Sequence, residues 1–189
     1  MGTPEEKESR EIASLFKRAG FLPVVARIPW NKKAEFADMK KYVAIFLEQY
    51  KNHHKPGDKT CVFGFSFGAM IAFITAPKIK PETLVLGSMS PSFKEDIPRW
   101  RDVWKKELQK ISYTAKDLYS ATTIAKKISS KTYAVVGSKE AVEVLWRAAE
   151  AVWKIPNAKL VIAQDAEHKV GQAEYRNTLK EIIDDLAAK

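Results

Sequence analysis

Ser66 stands between Gly64 and Gly68 in the stretch FGFSFGAM, at the end of a short apolar run. A serine hydroxyl becomes a nucleophile when a base takes its proton, and the base in turn needs an acid to orient it. The chain offers 3 histidines as base: His53 and His54 in the polar turn NHHKPGDK, and His168 just after KLVIAQDAE. Four carboxylates compete for the acid: Glu140 after the run TYAVVG, Glu143 three positions on, and Asp165 and Glu167 beside His168. Such a set would carry out acyl transfer through a covalent serine ester, a reaction that needs neither metal nor organic cofactor.

These residues work together only if the fold brings them to one place. Residues 5–19 set Ile12, Leu15 and Phe16 at helical spacing and stop at Gly20. FLPVVARIPW reads as a strand whose Pro23 and Pro29 fit its two ends. Residues 35–50 form a second helix, with Phe36, Met39, Val43, Phe46 and Leu47 on one face. TCVFGFS, TLVLGSMSP, TYAVVGSKE and KLVIAQDAEH are short continuous apolar runs, as in strands buried on both faces. Between and after them lie the helical segments FGAMIAFITA, AVEVLWRAAEAVWKI and residues 171–188. The alternation predicts an α/β protein, a three-layer α/β/α sandwich around a mainly parallel sheet, with 1–189 as a single domain.

That architecture sorts the candidates. Ser66 falls at the junction of a strand and a helix, on the carboxyl edge where such sheets bind their ligands. Glycines on either side let the chain turn sharply there, and the backbone N–H of Phe67 at the helix start can hold a developing oxyanion. His53 and His54 lie at the amino edge, a strand length away from the serine. His168 leaves the last strand on the same rim as Ser66 and is the base. Glu140 is the preferred acid. Asp165 and Glu167 are too close in sequence to His168 to reach its far ring nitrogen, and Glu143 suits the first turn of a helix.

Composition bounds the rest. A 46% apolar chain with 8 Gly and 9 Pro is a folded globular protein. Its one cysteine, Cys61, leaves no internal disulfide framework and no cysteine-based zinc cluster. No apolar run is long enough to span a membrane, and MGTPEEKESRE is not a secretory leader, so a cytoplasmic address is expected. The net charge of +9 is spread along the chain and interleaved with acids. It reads as a solvated basic surface rather than a site specific for nucleic acid.

GFSFGAM as a nucleophile elbow, VVGSKE as an acid turn and AEH as a histidine loop, in the order Ser66, Glu140, His168, resemble the α/β-hydrolase superfamily over nearly the whole chain. The resemblance is to its small single-domain members. It implies a serine hydrolase acting on a small-molecule ester or thioester, with Ser66 as nucleophile, His168 as base, Glu140 as acid and Phe67 as one oxyanion donor. Members of the superfamily more often carry Asp at the acid position. They also have a strand ending in a His-Gly-type loop before the first helix, which provides the second oxyanion donor. Here MGTPEEKES resembles only the tail of that loop, so Gly2 and Thr3 are its expected remnant and the N-terminal strands are expected to be missing or reduced. An alternative follows, a hydrolase-like binding protein with weak or no turnover. A shortened sheet would also expose edges that favour self-association. Residues 92–130 fall where the superfamily inserts a helical cap. There Ile97, Trp100, Trp104, Leu108 and Ile111 form a stripe that packs the cap onto the body or, through Trp100 and Trp104, walls a substrate pocket. Phe65 and Met89 are the remaining candidates for an apolar pocket beside the serine.

Overall fold

A computed structural model describes residues 4–29, 39–100 and 119–188. Its sheet has four strands, β1 (Cys61–Phe65), β2 (Thr83–Gly87), β3 (Lys131–Gly137) and β4 (Ala158–Ala163), side by side in that order and all parallel. The helices are α1 (Pro4–Arg18), α2 (Met39–His53), α3 (Phe67–Ile79), the short α4 (Ala121–Ala125), α5 (Val142–Lys154) and α6 (Ala173–Ala187). A single 3₁₀ turn covers Ile97–Arg99.

Strand alternation sends successive side chains to opposite faces, and each face has its own core. Val62, Leu84 and Leu86 pack with Met39, Tyr42, Phe73 and Ala125 under α2, α3 and α4. Val85, Tyr133 and Val135 pack with Ile12, Phe16, Tyr175 and Leu179 under α1 and α6. Ala134 and Val136 meet Val144 and Ala148 of α5. Helices on both faces of one parallel sheet make the three expected layers. β2 is buried at every position, as its unbroken apolar run requires. Among the described residues β4 is an edge strand, and it leaves Leu160 and Ile162 exposed although its sequence is as apolar.

The helix ends follow local chemistry. After α1, Gly20 takes φ +89, and the N–H of Phe21 returns to the carbonyl of Phe16 at 3.1 Å, a glycine-dependent stop. α3 continues beyond the expected stretch, through Pro77 to Ile79, and ends at Lys80 in the left-handed region.

The strand expected at FLPVVARIPW is not formed: residues 21–29 carry no regular structure, and Leu22, Val24 and Val25 are exposed. β propensity alone makes no strand without a neighbour to pair with. The backbone of Arg27 is satisfied instead by the Gln49 side chain, which takes its N–H at 2.9 Å and donates to its carbonyl at 2.9 Å. β1 has β2 as its sole sheet neighbour among the described residues.

The two described ends of the expected cap insert belong to the body. Phe93, Ala121, Ala125 and Ile128 are core residues. Asp96 is buried and meets the buried Arg147 of α5, Oδ1 to Nε at 3.2 Å. Burial pulls the guanidinium down and pushes the carboxyl up, and each charge opposes the other's shift. The pair fastens the chain that leaves β2 to the helix that follows the acid turn. Residues 101–118, the middle of the insert, lie outside the described residues.

Candidate active site

β1 ends at Phe65 and α3 begins at Phe67, so Ser66 alone makes the turn, at φ 53 and ψ −118. This is a sparsely populated conformation for a residue with a Cβ and costs about 1–3 kcal/mol. Ser66 N–H donates to Gly87 O at 2.9 Å, and Ser66 O accepts from Met70 N–H at 3.2 Å; together they hold the turn in place. The two glycines are not equivalent. A Cβ on Gly64 would sit 2.3 Å from Gly68 O and 2.6 Å from Ala69 N, whereas a Cβ on Gly68 would meet nothing within 4 Å. Of the two glycines expected to let the chain turn, Gly64 is required sterically and Gly68 is not.

His168 reaches back over the rim from the loop after β4. Its Nε2 lies 3.0 Å from Ser66 Oγ and its Nδ1 2.6 Å from Glu140 Oε2. The ring leans on Phe65, with centroids 4.9 Å apart. The histidine is part-exposed, whereas the Glu140 side chain is fully buried. The acid turn and the histidine loop are fastened together. Ser138 N–H donates to Ala163 O at 3.0 Å, Lys139 N–H to Ala166 O at 3.0 Å and Asp165 N–H to Ser138 Oγ at 2.9 Å. The contact is close enough that a Cβ on Gly137 would lie 2.3 Å from Ala166 O.

The second carboxylate oxygen of Glu140 accepts from Gly137 N–H at 2.8 Å and from the Ser88 hydroxyl. Tyr175 closes the network, its phenol 2.8 Å from Ser88 Oγ and 3.1 Å from Val135 O. Burial pushes the Glu140 carboxyl up, but hydrogen bonds from His168, Ser88 and Gly137 outweigh it and hold the group below its ordinary range. It is thus an ionised acceptor. Burial drives the Tyr175 phenol strongly upward, so it stays a protonated donor. Ser90 Oγ lies 3.0 Å from Ser66 Oγ.

Helices on both faces of a parallel sheet recur in solved structures. Est1E from Butyrivibrio proteoclasticus matches 100% of this chain and 83% of its own, with TM-score 0.68 and 12% identity. A dienelactone hydrolase from Anabaena variabilis matches 94% and 76%, with TM-score 0.63 and 14% identity. MGS-MChE2, an α/β hydrolase enzyme from a lagoon-sediment metagenome, matches 78% and 70%, with TM-score 0.58 and 16% identity. The chain has the α/β-hydrolase fold. No protein-family model matches it, and no curated protein matches it in sequence.

Within this fold the structure brings Ser66, His168 and Glu140 together and leaves the rival acids elsewhere. Asp165 pairs with Lys139 at 2.9 Å, and Glu167 with Lys169 at 2.6 Å, both on the surface. Glu143 is buried in the first turn of α5. His53 turns its Nδ1 to Gln49 O at 2.8 Å, and His54 stacks on Tyr50. Of the apolar candidates, Phe65 touches His168 and Tyr175 at the site. Met89 is a core residue, and Trp100 is buried with its Nε1–H donating to Pro91 O at 2.6 Å. Trp104, Gly2 and Thr3 lie outside the described residues. Among the described residues, no helix is long and apolar enough to cross a membrane, and no group of three or more His, Cys, Asp or Glu could hold a metal ion.

Sequence reasoning passed over Ser88, Ser90 and Tyr175. The first two had a visible signal in GSMS, hydroxyls where β2 reaches the same rim. Tyr175 had none, since it reads as one more apolar position on an amphipathic helix.

Proposed function

We propose that this protein is a serine hydrolase that opens ester or thioester bonds of a small molecule through an acyl-enzyme on Ser66. The observation that carries this reading is the continuous hydrogen-bond chain from Ser66 Oγ through both ring nitrogens of His168 to Glu140. With Glu140 ionised, Nδ1 carries the proton and Nε2 is the acceptor facing the serine. Ser66 Oγ forms a bond to the substrate carbonyl carbon as its proton passes to Nε2. The carbonyl electron pair moves onto oxygen, where the Phe67 N–H at the start of α3 is the expected donor. Collapse expels the alcohol or thiol, which takes the proton from His168. Water then attacks the acyl group with His168 as base, and Ser66 regains its proton as the acid departs. Likeness to solved hydrolases such as the Anabaena enzyme supports the same general class.

The test is labelling by a fluorophosphonate, located by mass spectrometry. Modification confined to Ser66 in the parent, with loss in His168→Ala, is the expected result. A folded protein left unlabelled would overturn the enzyme reading and favour a hydrolase-like binding protein.

A further inference from the structure

Ser66 Oγ has two hydrogen-bond partners, and the mechanism above uses only one. Besides His168 Nε2 at 3.0 Å, it meets Ser90 Oγ, also at 3.0 Å. Ser90 lies three residues past the end of β2, is 7% exposed, and is tied to the elbow by its own N–H, which reaches Ser66 O at 3.4 Å. Its hydroxyl makes no other hydrogen bond among the described residues.

Proton counting gives the direction of this contact. Ionised Glu140 keeps the imidazole proton on Nδ1, so Nε2 can only accept, and Ser66 must spend its single proton on it. The Ser66–Ser90 bond then has one available donor, the Ser90 hydroxyl. We propose that Ser90 is a further catalytic residue, which donates to Ser66 Oγ and stabilises the negative charge that this oxygen carries in the reaction. The inference rests on the serine-hydrolase reading.

Charge develops on Oγ twice. In acylation the proton moves to His168 while the Oγ–carbon bond is still forming, so the oxygen has alkoxide character. In deacylation the Oγ–carbon bond breaks, its electron pair stays on Oγ, and His168 returns the proton. A donor fixed on Oγ is stronger at both moments than in the ground state, because hydrogen bonds to charged oxygen exceed those to neutral oxygen. Its burial beside the strained turn keeps water from taking its place.

The experiment compares the parent with Ser90→Ala and Ser90→Thr. Two quantities are read against pH: the rate of Ser66 modification by a fluorophosphonate and the steady-state hydrolysis of p-nitrophenyl acetate. A thermal melt accompanies each variant. Ser90→Ala is expected to slow both reactions about 10- to 100-fold, the range for a lost hydrogen bond to a charged group. Ser90→Thr keeps the hydroxyl and should recover most of the rate. The acid limb of the pH profile should stay in place in both variants, because His168 and Glu140 are untouched. Parent-like rates in Ser90→Ala would overturn the proposal. So would equal slowing in both variants with a lowered melting point, since that is a packing effect, or a shifted acid limb, which would put Ser90's influence on the histidine. A parent protein that neither labels nor turns over would overturn the serine-hydrolase reading itself and this inference with it.

Discussion

Replacing each elbow glycine by alanine should have opposite consequences. In Gly64→Ala the new Cβ is placed 2.3 Å from Gly68 O, 2.4 Å from Gly68 C and 2.6 Å from Ala69 N. A carbon–oxygen contact needs about 3.3 Å, so the two backbones must separate by about 1 Å. All three opposing atoms belong to the first turn of α3, so no flexible side chain can yield in their place. The turn that would move carries Ser66 and the Phe67 N–H. Overpacking of this kind costs about 1–3 kcal/mol, and a domain of this size loses about 2–4 °C per kcal/mol. The melting point should therefore fall by about 2–12 °C. A displacement near 1 Å should also slow fluorophosphonate labelling of Ser66 about 100-fold. Gly68→Ala meets open space, and alanine is preferred to glycine within a helix by up to about 1 kcal/mol. That variant should melt at or slightly above the parent temperature and label at the parent rate. Parent-like melting and labelling in Gly64→Ala, or equal losses in both variants, would refute the steric account of the elbow.

Two further outcomes are expected. Glu95 caps the start of α4; burial raises its carboxyl, but hydrogen bonds from Ser120, its own backbone, Ala121 and Thr122 bring it down to about 2 from 4.5. A depressed carboxyl stabilises the fold fully above its unfolded value, and that contribution disappears as pH falls through the folded one. Because the group is partly exposed, the gain is screened to about 1 kcal/mol. The stability difference between parent and Glu95→Gln, measured by urea unfolding, should be constant above pH 6 and vanish toward pH 2; a difference that persists at pH 2 would contradict it. In β1, Ser66 N–H points to Gly87 and Thr60 O accepts from Thr83, so even-numbered residues face β2 and Cys61, Phe63 and Phe65 turn their amides outward. Hydrogen exchange should be about 100-fold or more slower at Val62 and Gly64 than at those three; uniform protection along β1 would show that its outer edge is paired.

The sequence showed the four sheet strands and the rim clearly, because both rest on local pattern. Short apolar runs such as TLVLG predict strands wherever they pack, and a strand–serine–helix junction has the same geometry in any surroundings. FLPVVARIPW failed because a strand needs a partner, and its apolar alternation carried no information about whether one would lie beside it. The two elbow glycines looked alike for a related reason. Which of them faces the opposite arm of the turn is a three-dimensional fact, and only Gly64 does, against the first turn of α3.

The hydroxyl network escaped notice for a topological reason. The strands lie in space in the order in which they occur in sequence, so Ser66 after β1 and Glu140 after β3 are separated by the width of β2, about 10 Å across two strand spacings. His168 arrives from β4 and spans that gap with its two ring nitrogens. The end of β2 lies beneath it and must present polar groups, because apolar ones would leave the buried Glu140 Oε1 with the Gly137 N–H as its one donor among the described residues. The chain leaving β2 does this with two serines, two positions apart. Ser88, at φ 44, turns its hydroxyl to Glu140, and Ser90 reaches Ser66. In an undistorted strand residues two apart would point the same way; the positive φ at Ser88 is what sends the two hydroxyls to different ends of the histidine.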